Sequence, residues 1–455
     1  MSCMEDPNKV REVLDSIGPG FCLAKWNQVS IHLGRGLTHS CYHPQAHELS
    51  EKEVLSNPSA LHNSGTKKLV RKCMLEGKRP EECSFCWEIE DRLKGCLSDR
   101  ITKSAEDWAW PTLDKVRSLK WDEDYTPTYV ELSFSNRCNF KCLYCNPDFS
   151  SSWQQEAKMY GQFHVMDDVV VDIPVDKLTE QRCRFIENNP YVKAFWKWWP
   201  TLFPKLHTFR LTGGDPLLVP ETYQVLEYIQ EHWKENPNIT LAINTNLGIS
   251  DSQFEKLISI FKDLGENGKV KELQIFTSIE SSGKQAEYVR NGLNEVKFWN
   301  RIETILKELP KVSVHIMATY NILCVETFSD VIRKVYDLKV KYNGVSETGC
   351  KYIRLGTFHL LFPAFMSAKL CSNEQRVYVD ESKALMESYP RVELPWGKGF
   401  TQGEVDSFLR IHSFVYDVDD SFDREKLMKQ LHIFVTEMDL RRDTNFFEAF
   451  PNFKF

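Results

Sequence analysis

The chain has 455 residues, 42% apolar and 27% charged, and its 57 Lys and Arg against 64 Asp and Glu give a formal net charge of −7. That length can bury a large core and suggests two or three domains, and no run approaches the roughly 18 consecutive apolar residues of a membrane span. The start is charged from Glu5 onward and shows no apolar signal core, and the acidic balance argues against nucleic-acid binding through bulk charge. Fourteen cysteines without a secretory signal point to metal binding or catalysis, not to a disulfide framework.

Residues 1 to about 110 hold scattered Cys, His, Gly and Trp, with one clear helical stretch in GTKKLVRKCMLEGK. Cys22 and Cys41 end a run, FCLAKWNQVSIHLGRGLTHSC, that reads as a β-hairpin, and Cys83 and Cys86 follow as C-x2-C in GKRPEECSFCWEIED. From about 125 to 365, six β-like runs alternate with helical patterns. They are YVELSFS (129–135), LHTFRLT (206–212), ITLAINT (239–245), ELQIFTSI (272–279), KVSVHIMATY (311–320) and KYIRLGTF (351–358). Between them, Pro220 opens a helix that places Val225, Leu226, Ile229 and Trp233 on one face, and similar stripes run through 251–263, 295–309 and 325–338. Strands separated by helices imply parallel β/α units, in which ligands bind at the C-terminal strand ends.

Residues 148–205 exceed one crossover. They include DVVVDIPVD, expected as a hairpin, and YVKAFWKWWP. There Phe195, Trp196, Trp198 and Trp199 either pack a helix face, the preferred reading, or shield a reaction site. The remainder, 366–455, reads as a charged helical tail. Its Arg441 and Arg442 are expected on a solvated or ion-paired face, with an acidic substrate group as the other reading. His359 falls just past the sixth run. Cys3, Cys73, Cys96, Cys183, Cys324, Cys350 and Cys371 stand alone and are by default small buried hydrophobes.

The densest chemistry is RCNFKCLYCNP, in the loop after the first of the six runs, with Cys138, Cys142 and Cys145 spaced C-x3-C-x2-C. Three thiolates on one loop can hold three corners of a cubane cluster and leave the fourth iron open. Zinc wants four closed ligands and would have to borrow from a pair such as Cys83 and Cys86. Three buried thiols without a metal are the bland alternative.

At these residues the sequence resembles the radical S-adenosylmethionine (SAM) superfamily, whose C-x3-C-x-aromatic-C pattern Cys138, Cys142, Tyr144 and Cys145 match. The resemblance implies an α/β fold, a partial (β/α)6 TIM-like barrel over 125–365 with an insertion at about 148–205. It also implies a [4Fe–4S] cluster on the three cysteines. SAM would chelate the open iron, and its reductive cleavage would yield a 5′-deoxyadenosyl radical. Later motifs agree in order. LTGGDP resembles the family's GGEP loop, so Gly213, Gly214, Asp215 and Pro216 are implied SAM contacts, with Asp in place of the usual Glu. INTN adds Thr245 and Asn246. FTSIESSG adds Ser278, with Glu280 in place of an Asp, and EYVRNG offers Arg290, similar to an arginine that grips the SAM carboxylate.

The N-terminal block, with LHNSGTKKLVRKCMLEGKRPEEC, resembles the SPASM/twitch modules. That implies an auxiliary [4Fe–4S] cluster on Cys22, Cys41, Cys83 and Cys86 in a module of residues 1–110. Zinc on the same thiols, with His32, His39, His43 or His47 as substitute ligands, stays open, as does no metal. The whole arrangement resembles twitch-domain-containing radical SAM proteins over nearly the full chain, including NFKCLYCNPDFSSSW and MDLRRDTNFFEAFP. The expected protein is a cytoplasmic radical SAM oxidoreductase or transformase with a helical extension at 366–455. It takes electrons from a flavodoxin- or ferredoxin-type donor and abstracts hydrogen from a small molecule in preference to a peptide, with no membrane or nucleic-acid partner. The competing expectation is a zinc-stabilised scaffold without chemistry. Substrate, target atom and the acid–base residue are not legible.

Overall fold

Alternating burial along the β-like runs and one-sided apolar stripes between them give a mixed α/β chain. All six predicted strands form, as Tyr129–Ser133, Thr208–Thr212, Thr240–Asn244, Glu272–Thr277, Val312–Tyr320 and Gly349–His359. The structure, a computed structural model, describes residues 5–92, 96–166, 168–171, 177–346, 349–417 and 423–455. Cys3 and the second half of the DVVVDIPVD run lie outside the described residues. The chain forms two compact units, one built from residues 1–135, 176–216 and 231–242, the other from 136–175, 217–230 and 243–455.

In the first unit, Tyr129–Ser133 pairs in parallel with Thr208–Thr212 on one side, Val130 opposite Phe209. On its other side lies Gln28–His32, also parallel, with Val29 opposite Val130. Gln28–His32 then turns back on Leu37–His39, Ile31 opposite Thr38, so the expected hairpin exists. Its second, parallel partner was not legible, because a hairpin's own periodicity says nothing about what lies on its outer edge. The aromatic run forms the helix Pro190–Leu202. Pro190 opens it, and the Asn189 side chain accepts from the N–H groups of Tyr191 and Val192. Trp199 is fully buried, its ring centroid 4.7 Å from that of Phe209, and Phe195 packs edge-on against Phe134. These rings are core, as the packing reading has it. A second apolar cluster joins Val10, Leu14, Phe21, Trp26, Met74 and Ile101 around the N-terminal helices.

In the second unit, Glu272–Thr277, Val312–Tyr320 and Gly349–His359 lie side by side in parallel, Ile275 opposite Val314 and Val314 opposite Ile353. Helices fill the crossovers where the stripes fall. Asp251–Glu266 starts at a reciprocal Ser250–Gln253 capping box, Glu295–Glu308 is capped by Asn294, and Phe328–Tyr342 follows. The tail is helical, as Asn373–Ser388, Gln402–Tyr416 and Arg424–Arg442. DVVV forms the strand Asp168–Val171, paired antiparallel with the upstream strand Phe163–Val165; the second half of the run lies outside the described residues. No described helix is long and apolar enough to cross a membrane.

Candidate functional site

The loop after Tyr129–Ser133 is fixed by its own backbone bonds and by the segments around 246–248 and 290–292 of the second unit. The Cys145 N–H donates to the Cys142 carbonyl at 2.9 Å and that of Leu143 to Val289 at 2.8 Å. Cys142 pairs antiparallel with Arg290. Phe140, buried beneath the loop, fills space beside Gly248 and Gly292; a Cβ on those glycines would come within 2.3 and 2.8 Å of its ring. Further on, Ser151 Oγ and Ser152 Oγ donate to the Cys138 carbonyl, and the Trp153 indole N–H donates to that of Cys142 at 2.8 Å. Each thiol thereby leaves a backbone that cannot shift on its own.

Two of the three sulfurs also have donors aimed at them. The Phe140 N–H lies 3.4 Å from Cys138 Sγ, Asn246 Nδ2 lies 3.7 Å from it, and Arg290 Nη1 lies 3.7 Å from Cys142 Sγ. Burial pushes the Cys142 thiol up to about 11, against the pull of Arg290. Burial and then Cys142 push Cys145 up to about 12, with Cys138 adding to the effect, so all three sulfurs lie within electrostatic reach of one another. Three thiols on one clamped loop, those of Cys138 and Cys142 facing hydrogen-bond donors, match the donor set a thiolate-ligated cluster requires.

Beside the loop is a buried polar triad. Glu280 has no exposed surface and Arg290 is 5% exposed. Arg290 Nε and Nη2 donate to one Glu280 oxygen at 3.1 and 3.0 Å, and the Tyr144 hydroxyl reaches both oxygens at 3.1 Å. Burial raises the Glu280 carboxyl, and Arg290 and Tyr144 oppose that by donating to it. Arg290, expected from the resemblance to grip the SAM carboxylate, engages Glu280 with two of its nitrogens and Cys142 with the third. Thr245 Oγ1 accepts from the Leu247 N–H at 3.0 Å. Asn246 donates to Asn139 Oδ1 and accepts from the Gly248 N–H, so both residues shape the turn that grips the cysteine loop. Ser278 is half-buried just past Glu272–Thr277.

GGDP belongs to the first unit, directly after Thr208–Thr212. Gly213 adopts φ +128°, and a Cβ there would lie 2.6 Å from Ser133 Oγ and 2.7 Å from the Ser135 carbonyl oxygen. Only glycine fits that close approach. Gly214 N–H donates weakly to Ser135 O at 3.4 Å. Asp215 is fully buried, and Pro216 opens the short 3₁₀ turn Pro216–Leu218.

The N-terminal cysteines come together. Cys22, Cys41, Cys83 and Cys86 line one cavity, with Lys25, Lys103 and Arg100 also on its wall. Burial pushes Cys83 and Cys86 up to about 12, and Cys22 and Cys41 add to the rise at both. Ser40 Oγ lines the same cavity, buried and without a hydrogen-bond partner. The thiols surround a space, and no group of three or more His, Cys, Asp or Glu among the described residues is gathered tightly enough for a single metal ion. The four histidines have other partners. His32 and His39 face each other through Nε2 at 3.2 Å, His43 bonds Asp99 at 2.8 Å, and His47 bonds Glu82 at 2.9 Å. The three cations on the wall are themselves paired, Lys25 with Glu82, Arg100 with Asp15 and Glu90, and Lys103 with Asp99.

Some residues at the cysteine loop were not singled out from sequence. Glu156 accepts from Arg442 Nε and Nη2 at 3.2 and 3.1 Å, both side chains 2% exposed, and also pairs with Lys141. Arg442 lies over the Trp153 ring at 4.6 Å. Arg441 pairs with Glu437 at 2.7 Å. The ion-paired reading of the two arginines holds, but their side chains are buried and not solvated. A pair separated by 286 positions leaves no local pattern to read.

No family model matches the chain. Over 129 residues it is 30% identical to a GTP 3′,8-cyclase of Microcystis aeruginosa, covering 28% of this chain and 30% of that protein. It is 26% identical over 176 residues to a GTP 3′,8-cyclase of Sulfurimonas denitrificans, covering 38% and 44%. With the radical SAM cyclopropyl synthase TigE of Paramaledivibacter caminithermalis it shares 21% over 224 residues, 48% and 40%. The chain thus spans less than half the length of each of these relatives. This partial likeness, one relative being named a radical SAM cyclopropyl synthase, supports radical SAM catalysis.

Proposed function

We propose that the protein is a radical SAM enzyme whose SAM-binding [4Fe–4S] cluster is held by Cys138, Cys142 and Cys145. The observation that carries this reading is the clamped three-thiol loop with Arg290, Asn246 and the Phe140 N–H directed at its sulfurs. When bound, the cluster supplies an electron that cleaves SAM to a 5′-deoxyadenosyl radical. The residues of this chain hold, orient and shield. Glu280, Arg290 and Tyr144 form a rigid wall against the loop. Gly213 and Gly214 bring backbone close to a ligand at a strand end, with Asp215 and Pro216 fixing the turn. Within the second unit, Thr245, Asn246 and Ser278 supply polar edges at strand ends.

A second [4Fe–4S] cluster on Cys22, Cys41, Cys83 and Cys86 is the reading supported by four thiols around a cavity instead of around a point. It would accept an electron or bind substrate. The substrate class we propose is a small molecule, in keeping with a four-cysteine module, and the electron donor is of flavodoxin or ferredoxin type. Relatives named GTP 3′,8-cyclase share only part of their length with this chain, so their substrate is not transferred.

Anaerobic reconstitution of the full chain is expected to give about eight irons, an EPR signal shifted by SAM, and 5′-deoxyadenosine under reduction. Replacing Cys138, Cys142 and Cys145 together by Ala is expected to abolish the nucleoside. Cleavage that survives in that triple variant, or a colourless protein with stoichiometric zinc, would refute the assignment.

A further inference from the structure

Three buried cations of the N-terminal segment, one of them on the wall of the auxiliary cavity, outnumber the carboxylates that pair with them. Lys25, Lys67 and Arg71 are 3%, 1% and 0% exposed. Lys25 pairs with Glu82, which His47 also engages. Lys67 and Arg71 make no ion pair among the described residues. Lys67 Nζ donates to Thr38 Oγ1 at 2.9 Å. Arg71 donates to Asn63 Oδ1 at 2.8 Å and to the Lys25 carbonyl at 3.3 Å, and faces His62 Nε2 at 2.7 Å. A buried ammonium whose only partner is a hydroxyl is a costly arrangement unless an anion lies close by. Burial, with Arg71 and Lys25 adding to it, holds Lys67 well below the ordinary lysine range; Glu82 and Cys41 act in the opposite direction. Thr38, the partner of Lys67 Nζ, lies three residues before Cys41, one of the four thiols on the cavity wall, and Arg71 bonds the carbonyl of Lys25, which is also on that wall.

We infer that Lys67, backed by Lys25 and Arg71, is the fixed countercharge of an anionic four-thiolate cluster in this cavity and raises its reduction potential. The inference rests on the auxiliary-cluster reading given above. A [4Fe–4S] core with four thiolates is a dianion, and taking one electron from the flavodoxin- or ferredoxin-type donor makes it a trianion. A fixed cation in a poorly screened interior stabilises the more charged, reduced form. With the cavity empty the ammonium has no anionic partner and burial favours its neutral form, so the side chain adds no charge-based stability to the cluster-free chain. Lys67 is thus a positioning residue for charge and does not ligate.

The test is an EPR-monitored redox titration of the reconstituted full chain, following the signal that SAM does not perturb, in wild type, Lys67→Met and Lys67→Arg. At the wild-type midpoint, the reduced-to-oxidised ratio is expected to fall about tenfold or more in Lys67→Met, a shift of about 59 mV for one electron. It is expected to stay within about threefold in Lys67→Arg, which keeps the charge. The cluster-free Lys67→Met chain is expected to melt no lower than cluster-free wild type. An intact second cluster whose ratio in Lys67→Met stays within about threefold of wild type overturns the inference. If Lys67→Met loses only the second cluster, an unlowered cluster-free melting temperature supports the countercharge role and a lowered one overturns it. A wild-type chain with only the SAM-sensitive signal, or with zinc in the cavity, removes the auxiliary cluster itself and the inference with it.

Discussion

Glu280 takes two N–H bonds from Arg290 and an O–H from Tyr144, and neither it nor Arg290 has more than a trace of exposed surface. Breaking such a pair by removing one charge leaves the other buried and unmatched, which costs about 3–5 kcal/mol. Glu280→Gln is therefore expected to lower stability by about that amount in urea unfolding of the cluster-free chain. Arg290→Lys keeps the charge but loses the planar fork, and its expected signature is a weakened SAM-induced EPR shift in the reconstituted protein. Gly213 is a different kind of residue-scale constraint, since a methyl group would collide with Ser133 and with a backbone oxygen at 2.7 Å. Gly213→Ala is expected to cost about 1–3 kcal/mol, read from the same unfolding curves.

At the scale of elements, Arg424–Arg442 ends on a buried cation. Arg442 meets Glu156, on the helix Ser151–Tyr160 that immediately follows the cysteine loop. Arg442 and Lys141 hold the Glu156 carboxyl below its ordinary value, although burial acts the other way. The folded state then binds this proton less readily than the unfolded chain does. The pair's contribution is present in full above the unfolded value of 4.5 and is lost as pH falls through the depressed folded value. Melting temperatures of wild type and Glu156→Gln, followed from pH 7 downward, are expected to differ most above about pH 5 and to converge in acid. A gap that stayed constant with pH would show that the pair's charge does not matter. Asp439 organises the end of the same helix, accepting from the Tyr288 hydroxyl at 2.9 Å and the Phe446 N–H at 2.7 Å. The C-terminal aromatic segment is thereby tied to the helix Gly283–Val289, which leads into Arg290.

At the scale of the whole molecule, the chain builds its first unit from three separate stretches. Residues 1–135 contain all four N-terminal cysteines and the strand Tyr129–Ser133. They lack that strand's neighbour Thr208–Thr212 and the helix Pro190–Leu202, with its buried Phe195 and Trp199. Expressed alone, this fragment is expected to lack the cooperative melt and near-ultraviolet circular dichroism of a packed core. A sharp transition from residues 1–135 would contradict that expectation.

The sequence by itself determined the six long strands, the helices between them and both sets of four and three clustered cysteines. The strands, helices and three-cysteine loop depend on patterns shorter than about 20 residues, such as two-residue alternation, helical stripes, caps and thiol spacing, whereas Cys22, Cys41, Cys83 and Cys86 were grouped by resemblance alone. Only the tertiary structure decided that Gln28–His32 joins Tyr129–Ser133 in parallel, that Arg290 is claimed by Glu280, and that Lys67 is buried without a carboxylate. The physical reason is common to all three. An ion pair, an outer strand partner or a missing countercharge is set by which distant segments exclude water together, and local residue order carries no record of that.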